Sequence, residues 1–275
     1  MTEVVQDDIA RGKRFAFGSN WTRFLTVLND ARIIHAENSL RGMLEVKDLQ
    51  GKTFLDIGSG SGLFSLAARR LGAAVTSFDY DPQSVACTRE LQRRYFPSDD
   101  HWRIDEGSAL DDQYLSGIGQ FDIVYSWGVL HHTGDMWRAL ANAALPVASG
   151  GHLFIAIYND QGWISVAWRK VKRLYCSGIV GKVLVGGAFI PYYVARGMVG
   201  DLLLRARNPI QRYRHPTTRG MSLFYDWFDW LGGLPFEVAK PEAIVRFYRD
   251  RGFALQNLVT VGGGIGNNQF VFVKR

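Results

Sequence analysis

Cysteine is scarce here, with Cys87 and Cys176 alone in 275 residues. The two lie far apart and fit neither a metal-ligand nor a disulfide spacing, which excludes a disulfide scaffold and a cysteine-rich metal domain. No uncharged apolar run reaches the roughly 18 residues of a membrane-spanning helix. The segment Met1-Thr2-Glu3-Val4-Val5-Gln6-Asp7-Asp8 has no basic start and no apolar run, so no signal peptide is expected there. These absences point to a reduced, cytoplasmic setting. Acidic charge is missing from one region. Between Gln161 and Gly220, eleven Lys and Arg residues are opposed only by Asp201. That region carries a net +10, while the whole chain carries +6, so the remainder is net acidic. Arguments about partners therefore concern this region.

The chain is organised around Thr53-Phe54-Leu55-Asp56-Ile57-Gly58-Ser59-Gly60-Ser61-Gly62. Apolar strand residues run into glycines at alternate positions, and a helical pattern, Leu63 to Leu71, follows at once. Glycine there lets the backbone approach a ligand at dihedrals other residues resist. The helix amino terminus then presents free N–H groups to that ligand. A dinucleotide fingerprint would carry glycine where Leu63 stands. A carboxylate such as Asp56 would also repel the phosphates of a nicotinamide dinucleotide. A nicotinamide-dependent reductase is thus the weaker reading of this turn.

The D-x-G-x-G-x-G pattern of Asp56, Gly58, Gly60 and Gly62 resembles motif I of the class I methyltransferases that use S-adenosylmethionine (SAM). A second feature supports the resemblance. The strand Phe121-Asp122-Ile123-Val124-Tyr125-Ser126 runs directly into Trp127-Gly128-Val129-Leu130-His131-His132, as in small-molecule methyltransferases of the ubiquinone-biosynthesis type. The resemblance covers residues 50–158 and 240–275. It implies an α/β fold: a doubly wound, Rossmann-like, seven-stranded sheet with N-terminal helices and a helical cap inserted after strand five. Residues 1–50 form the leading helical segment, 51–160 with 240–275 the SAM-binding domain, and 161–239 the basic, aromatic-rich cap.

Taken in order, Asn20 or Ser19 can cap a first helix through Trp21, Phe24, Leu25 and Leu28, and a second helix runs from Asp30 to Leu44. That second helix carries His35 and Glu37. Both helices either close over the ligand or simply pack on the sheet. Strands then alternate with helices, the βαβ signature. Ala74–Asp79 ends in an acid about twenty residues after the glycines, suited to accept hydrogen bonds from a ribose hydroxyl pair. Asp81 is the better candidate cap for the helix starting at Pro82. A third strand covers Trp102–Gly107, a helix Asp135–Pro146, and a fifth strand His152–Tyr158 after Gly150-Gly151. A helix from Pro241 to Arg251 follows the insertion, with Pro suited to its first position. The strands Ala254–Val261 and Gln269–Lys274 then form a closing hairpin.

The resemblance assigns SAM to Asp56, Gly58, Ser59, Gly60 and Gly62 (methionine part), Asp79 with Tyr80 (ribose), and Ser108, Ala109 and Ser126 (adenine and its surroundings). Methyl transfer needs an aligned acceptor and, for a hydroxyl, a base to remove its proton. His131 and His132 sit at the carboxyl edge, where open α/β sheets bind ligands. Adjacent histidines do not both face one pocket, and His132, further from the strand end, is favoured. Trp21, Trp127, Tyr158, Asn159 and Trp227 are the candidate acceptor contacts. No metal site is expected, since Asp226 and Asp229 lack a third ligand.

The insertion offers two roles. Val183–Ala195 is uncharged, too short to span a membrane, and flanked by Lys182 and Arg196. It can form a lid or lie peripherally on the inner face of an anionic membrane, which would suit a lipid-linked acceptor. Arg205, Arg207, Arg212, Arg214 and Arg219 with Tyr213 could meet phosphates. No RNA-binding module is recognisable, however, and nucleic acid is not the expected partner. The expected function is methyl transfer from SAM to an oxygen, less readily a nitrogen, of a small-molecule, glycan or lipid-linked acceptor. A non-catalytic SAM-binding module is the alternative of a different class.

Overall fold

The structure, a computed structural model, describes residues 17–204 and 230–275 together with Asp7, Arg11, Phe15 and Trp227. Arg205, Arg207, Arg212, Tyr213, Arg214, Arg219, Asp226 and Asp229 lie outside the described residues.

Two helices lead, α1 (Phe17–Val27) and α2 (Asp30–Leu44). Alternation follows as β1 (Thr53–Ile57), α3 (Leu63–Arg70), β2 (Ala74–Asp79), α4 (Pro82–Tyr95), β3 (Trp102–Glu106), α5 (Asp112–Gly117) and β4 (Phe121–Trp127). A short 3-10 turn, Leu130–His132, precedes α6 (Met136–Ala143) and β5 (Val147–Tyr158). The insertion contributes α7 (Trp163–Cys176) and α8 (Ile179–Val199), with a π turn at Gly200–Leu204. The chain ends with α9 (Pro241–Arg249), β6 (Phe253–Val259) and β7 (Asn267–Lys274).

The seven strands are ordered β3-β2-β1-β4-β5-β7-β6. The first five run parallel, β7 is antiparallel to β5, and β6 is antiparallel to β7. The order reverses direction at β1 and β4, whose adjacent carboxyl ends open the crevice where such sheets take ligands. Side-chain alternation divides the core. Phe54, Val75, Tyr125, Phe154 and Val271 pack on one face under α1–α4. Leu55, Ile57, Val124, Ile155 and Phe270 pack on the other with α6 and α9.

Asp81 ties the leading helices to this frame. One carboxylate oxygen accepts from Gln83 N at 2.9 Å, capping α4 as its sequence position suggests. The other accepts from Gly18 N at 3.0 Å, which holds the start of α1 against the start of α4. A Cβ on Gly18 would lie 2.4 Å from that oxygen, so the approach requires glycine.

Several boundaries differ from the sequence reading. Helix α1 begins at Phe17, so Ser19 and Asn20 lie inside it rather than capping it. Strand β5 begins at Val147 because Gly150, at φ 73°, continues the chain through a register irregularity instead of ending it. Helix α8 runs through both flanking cations, making Ile179–Val199 a 21-residue helix. The expectation that this segment is too short to span is thereby corrected. Among the described residues, Ile179–Leu202 is long and apolar enough to cross a membrane by length and composition.

Asp81→Ala removes a helix cap and the acceptor of a buried N–H together, and is expected to cost about 2 kcal/mol. Thermal unfolding should show a lowered Tm, with Asp81→Asn losing less.

Candidate functional site

Each glycine of the loop after β1 has its own task. Gly58, Gly60 and Gly62 have φ values of 77°, 56° and 80°, a region disfavoured for residues with a Cβ. Gly58 N and Ser59 N both donate to the Phe78 carbonyl, at 2.9 and 3.0 Å, pinning the loop to the end of β2. A Cβ on Gly58 would lie 2.4 Å from Val129 Cγ1, and one on Gly60 would lie 3.1 Å from the Trp21 indole. Gly62 differs. Its Cβ would meet the Thr88 backbone at 2.8 Å, so it permits close packing of α3 on α4 and does not line the cavity.

Two carboxylates flank this loop. Asp79 accepts from Gly60 N and Asp81 N, each at 2.9 Å. Asp79 lines the cavity, and a carboxylate there is the type of group that accepts from a ligand hydroxyl pair. Asp56 is 2% exposed and accepts from Ser65 Oγ at 2.5 Å. Ser77 Oγ in turn donates to Ser65 at 2.8 Å and accepts from Trp102 Nε1 at 3.0 Å. Burial pushes the Asp56 carboxyl up to about 7; the Ser65 bond opposes that shift and the charge of Asp79 adds to it.

The post-β4 turn meets the segment where the insertion rejoins the sheet. Glu237 N donates to the His131 carbonyl at 3.0 Å, and Glu237 accepts from Gly134 N at 3.1 Å and from Met136 N. His132 Nδ1 lies 2.5 Å from the Pro235 carbonyl, which can only accept. Nδ1 therefore carries the proton, and Nε2 is the basic nitrogen of the neutral ring. His131 is fully buried with its ring 4.0 Å from that of Tyr158, and it lies behind the turn. Trp230 packs edge-on against Tyr158 at 5.4 Å and lies over the buried ammonium of Lys172, which donates to the Trp230 carbonyl.

These elements surround one cavity of about 830 Å³, a size that takes a nucleoside-bearing ligand. Asp56, Gly58, Ser59, Gly60, Asp79, Tyr80, Ser108, Ala109, Trp21, Trp127, His132 and Tyr158 all line it. Five predicted residues do not. Besides Gly62 and His131, Ser126 is fully buried and donates to the Ile57 carbonyl at 3.0 Å. Asn159 donates to the Gly262 and Gly264 carbonyls at 3.0 and 3.1 Å, holding the β6–β7 connection instead of an acceptor. Trp227 packs on Tyr193 within the insertion, ring centroids 5.6 Å apart.

The leading helices both pack and enclose. Phe24, Ile33 and Leu40 enter the core, while Phe17, Trp21, Arg32, His35 and Ser39 line the cavity. Glu37 is drawn out of contention by ion pairs with Arg70 at 2.7 Å and Arg41 at 3.8 Å. Sequence reasoning missed Phe15, Phe17, Arg32, Trp230, Asn267 and Gln269. Helical spacing of Arg32, His35 and Ser39, and alternation of Asn267 and Gln269, were the available signals.

An α/β domain with this strand order, glycine loop and strand-end acid has the architecture of a nucleoside-cofactor transferase. A family model described as a methyltransferase domain matches residues 55–153. The ubiquinone biosynthesis O-methyltransferase of Rhizobium johnstonii is 30% identical over 174 residues, spanning 58% of this chain and 68% of the relative. The enzyme of the same name from Caulobacter vibrioides is 33% identical over 117 residues, 40% of this chain and 42% of its own length. Magnesium protoporphyrin IX methyltransferase from Synechocystis, solved with S-adenosylhomocysteine (SAH) bound, shares the fold. Its TM-score is 0.54 at 14% identity, covering 98% of this chain and 100% of that one. The chain belongs to the SAM-dependent methyltransferases.

The residues present fit that cofactor. The glycine loop lies against a cavity that also holds Asp79, able to take two hydroxyls, and Asp56, buried and acidic where a cationic amine would be welcome. A ligand ammonium favours the ionised form of Asp56, so binding below about pH 7 releases a proton. Calorimetry should find SAH affinity rising between about pH 6 and 8 and then levelling. Asp56→Asn should bind more weakly and without that slope.

Proposed function

We propose that the protein transfers a methyl group to an oxygen of an apolar, ring-bearing or lipid-linked small molecule, working at the surface of an anionic membrane. The orientation of His132 carries this reading. Its Nδ1–H is committed to the Pro235 carbonyl, which makes Nε2 the nitrogen able to take a hydroxyl proton, and the ring lines the cavity. SAM, when bound, supplies an electrophilic methyl group on a sulfonium. Asp56 holds the amine of its methionine part, Asp79 and Tyr80 the ribose, and Ser108 and Ala109 the adenine. Phe17 and Tyr158 lie beside the His132 ring at 5.1 and 5.4 Å, and Phe15, Trp127 and Trp230 line the same cavity, so the acceptor presents an apolar and preferably flat body to them. Aligning acceptor and donor contributes most of the acceleration, and the base adds roughly 10²–10⁴-fold. The O-methyltransferase names of the relatives support oxygen over nitrogen.

The surface reading rests on α7 and α8. Ile179, Val180, Val183 and Leu184 are 60–79% exposed on the first turns of α8, and Trp163 is 78% exposed at the start of α7. Only 11% of the apolar window of α8 is buried, little for a lid packed on an active site. Lys170 and Arg173 on α7 and Lys182 and Arg196 on α8 are exposed as well. Apolar side chains with neighbouring cations suit an interfacial helix on an anionic leaflet, which gives the protein a peripheral place at the inner face of the membrane.

Radiolabelled SAM incubated with an extract of cells lacking this gene, then partitioned between butanol and water, tests the reaction. Butanol-soluble label that falls at least about a hundredfold with His132→Ala, while SAH affinity holds, is the expected outcome. Label confined to water, or unchanged by the substitution, refutes the acceptor class or the base respectively. Cosedimentation with vesicles tests the surface. Phosphatidylglycerol vesicles should retain the protein and phosphatidylcholine vesicles should not. Val183→Glu with Leu184→Glu should abolish retention while leaving SAH binding intact.

A further inference from the structure

The segment that leads from the insertion back to α9 crosses the carboxyl edge of the sheet as a strap. Ala239 N donates to the Tyr158 carbonyl at 3.0 Å, and the Ala239 carbonyl accepts from Asp160 N at 3.2 Å. The Phe236 carbonyl accepts from Arg169 Nε at 3.4 Å, and the Pro235 carbonyl takes the Nδ1 proton of His132. Glu237 uses both its backbone and its side chain, and the two grip the post-β4 turn on opposite sides of His132. Its N–H donates to the carbonyl of His131, the residue before. Its carboxylate accepts from Gly134 N at 3.1 Å and from Met136 N at 3.1 and 3.2 Å, both after His132.

The turn supplies little of this hold by itself. Leu130–His132 has no side-chain cap at its start, and Gly134, at φ 88°, lacks a Cβ to restrict the chain beyond it. The bonds from Gly134 and Met136 are charge-assisted and lie at the amino terminus of α6, where negative charge is favoured. Burial raises the Glu237 carboxyl above the ordinary glutamate value, and the Met136 and Gly134 amides oppose that rise by favouring the ionised form. The consequence falls on His132. A neutral imidazole carries its proton on either nitrogen, and the hydrogen bond made there decides which. The Pro235 carbonyl makes that decision only while it stays opposite Nδ1. Pro235 lies two residues before Glu237, so where Glu237 is anchored sets where that carbonyl stands.

We infer that Glu237 is a positioning residue for His132: it clamps the strap to the turn, which keeps the Pro235 carbonyl on Nδ1 and leaves Nε2 as the basic nitrogen. The inference rests on the proposed role of His132 as base only for its rate readout.

NMR of SAH-saturated protein carrying isotope-labelled histidine nitrogens reads the tautomer directly, the His132 signals being assigned by their loss in His132→Gln. At about pH 8, where a histidine of ordinary pKa is neutral, wild type should carry the His132 proton on Nδ1. In Glu237→Ala a substantial share of the ring should carry it on Nε2. Asp135→Ala removes a different cap of α6, the bond from Arg138 N at 3.3 Å, and should leave the wild-type tautomer. Glu237→Ala should also slow methyl transfer into the extract roughly tenfold to a hundredfold while SAH affinity holds. If Glu237→Ala does not fold, Glu237→Asp, whose carboxylate stops one methylene short of the α6 amides, replaces it under the same criterion. An unchanged tautomer in the Glu237 variant, or the same change in Asp135→Ala, overturns the inference. A shifted tautomer with an unchanged rate upholds the clamp and refutes instead the role of His132 as base.

Discussion

Everything in this cavity depends on how the end of β2 grips the turn after β1. The Phe78 carbonyl receives two N–H groups, from Gly58 and Ser59, and one residue later the Asp79 carboxylate receives Gly60. Three consecutive loop amides are thereby satisfied by two consecutive residues of the neighbouring strand. The loop needs no side chains of its own to hold its shape, which is why glycine can occupy it without making it floppy. The same grip fixes the carboxylate that faces the ligand, so the position of the acid and the path of the loop are one constraint. Asp81 carries it one step further by holding α1, and with α1 comes Trp21 over Gly60.

Two kinds of polar burial coexist around that frame. Asp56, Ser65, Ser77 and Trp102 form a closed chain of hydrogen bonds beneath the loop. Each donor has its acceptor, and the chain holds an acid whose burial raises its pKa. Arg32 is the opposite case: its cost is met by nothing among the described residues. A buried charge without a partner costs the folded chain stability.

Much of the parallel sheet was legible because its signals are local. The strand pattern Thr53–Ile57 before Gly58, and an acid at the end of Ala74–Asp79, fix strand and turn within a few residues. The family resemblance likewise rests on two short stretches, Asp56–Gly62 and Phe121–His132. What could not be read is set by contacts far apart in sequence. Ser19 and Asn20 looked like caps, but Asp81 holds the chain at Gly18 from 63 residues away, and the helix starts earlier. Asn159 followed a strand at the ligand edge and looked exposed to an acceptor, but the carbonyls of Gly262 and Gly264 claim it. Gly150-Gly151 read as a break because a register irregularity tolerates a left-handed residue that isolated strand pattern does not. Arg32 gave no local sign of being unpaired, since pairing is a property of the folded neighbourhood.

The carbonyl that orients His132 belongs to a residue 103 positions later in the chain, and Trp127 donates to Gln269, 142 positions away. The loop, the two acids and the turn at Ser108 and Ala109 all precede residue 110. A ribosome therefore delivers the loop side of the cavity early and the opposite wall last. A nascent chain halted at the end of β5 has its glycine loop and Asp79 but no carbonyl for His132 and no β7 to close the sheet. Order of synthesis thus becomes order of assembly: the loop and its acids are made before the carbonyl that orients His132 and the strand that closes the sheet.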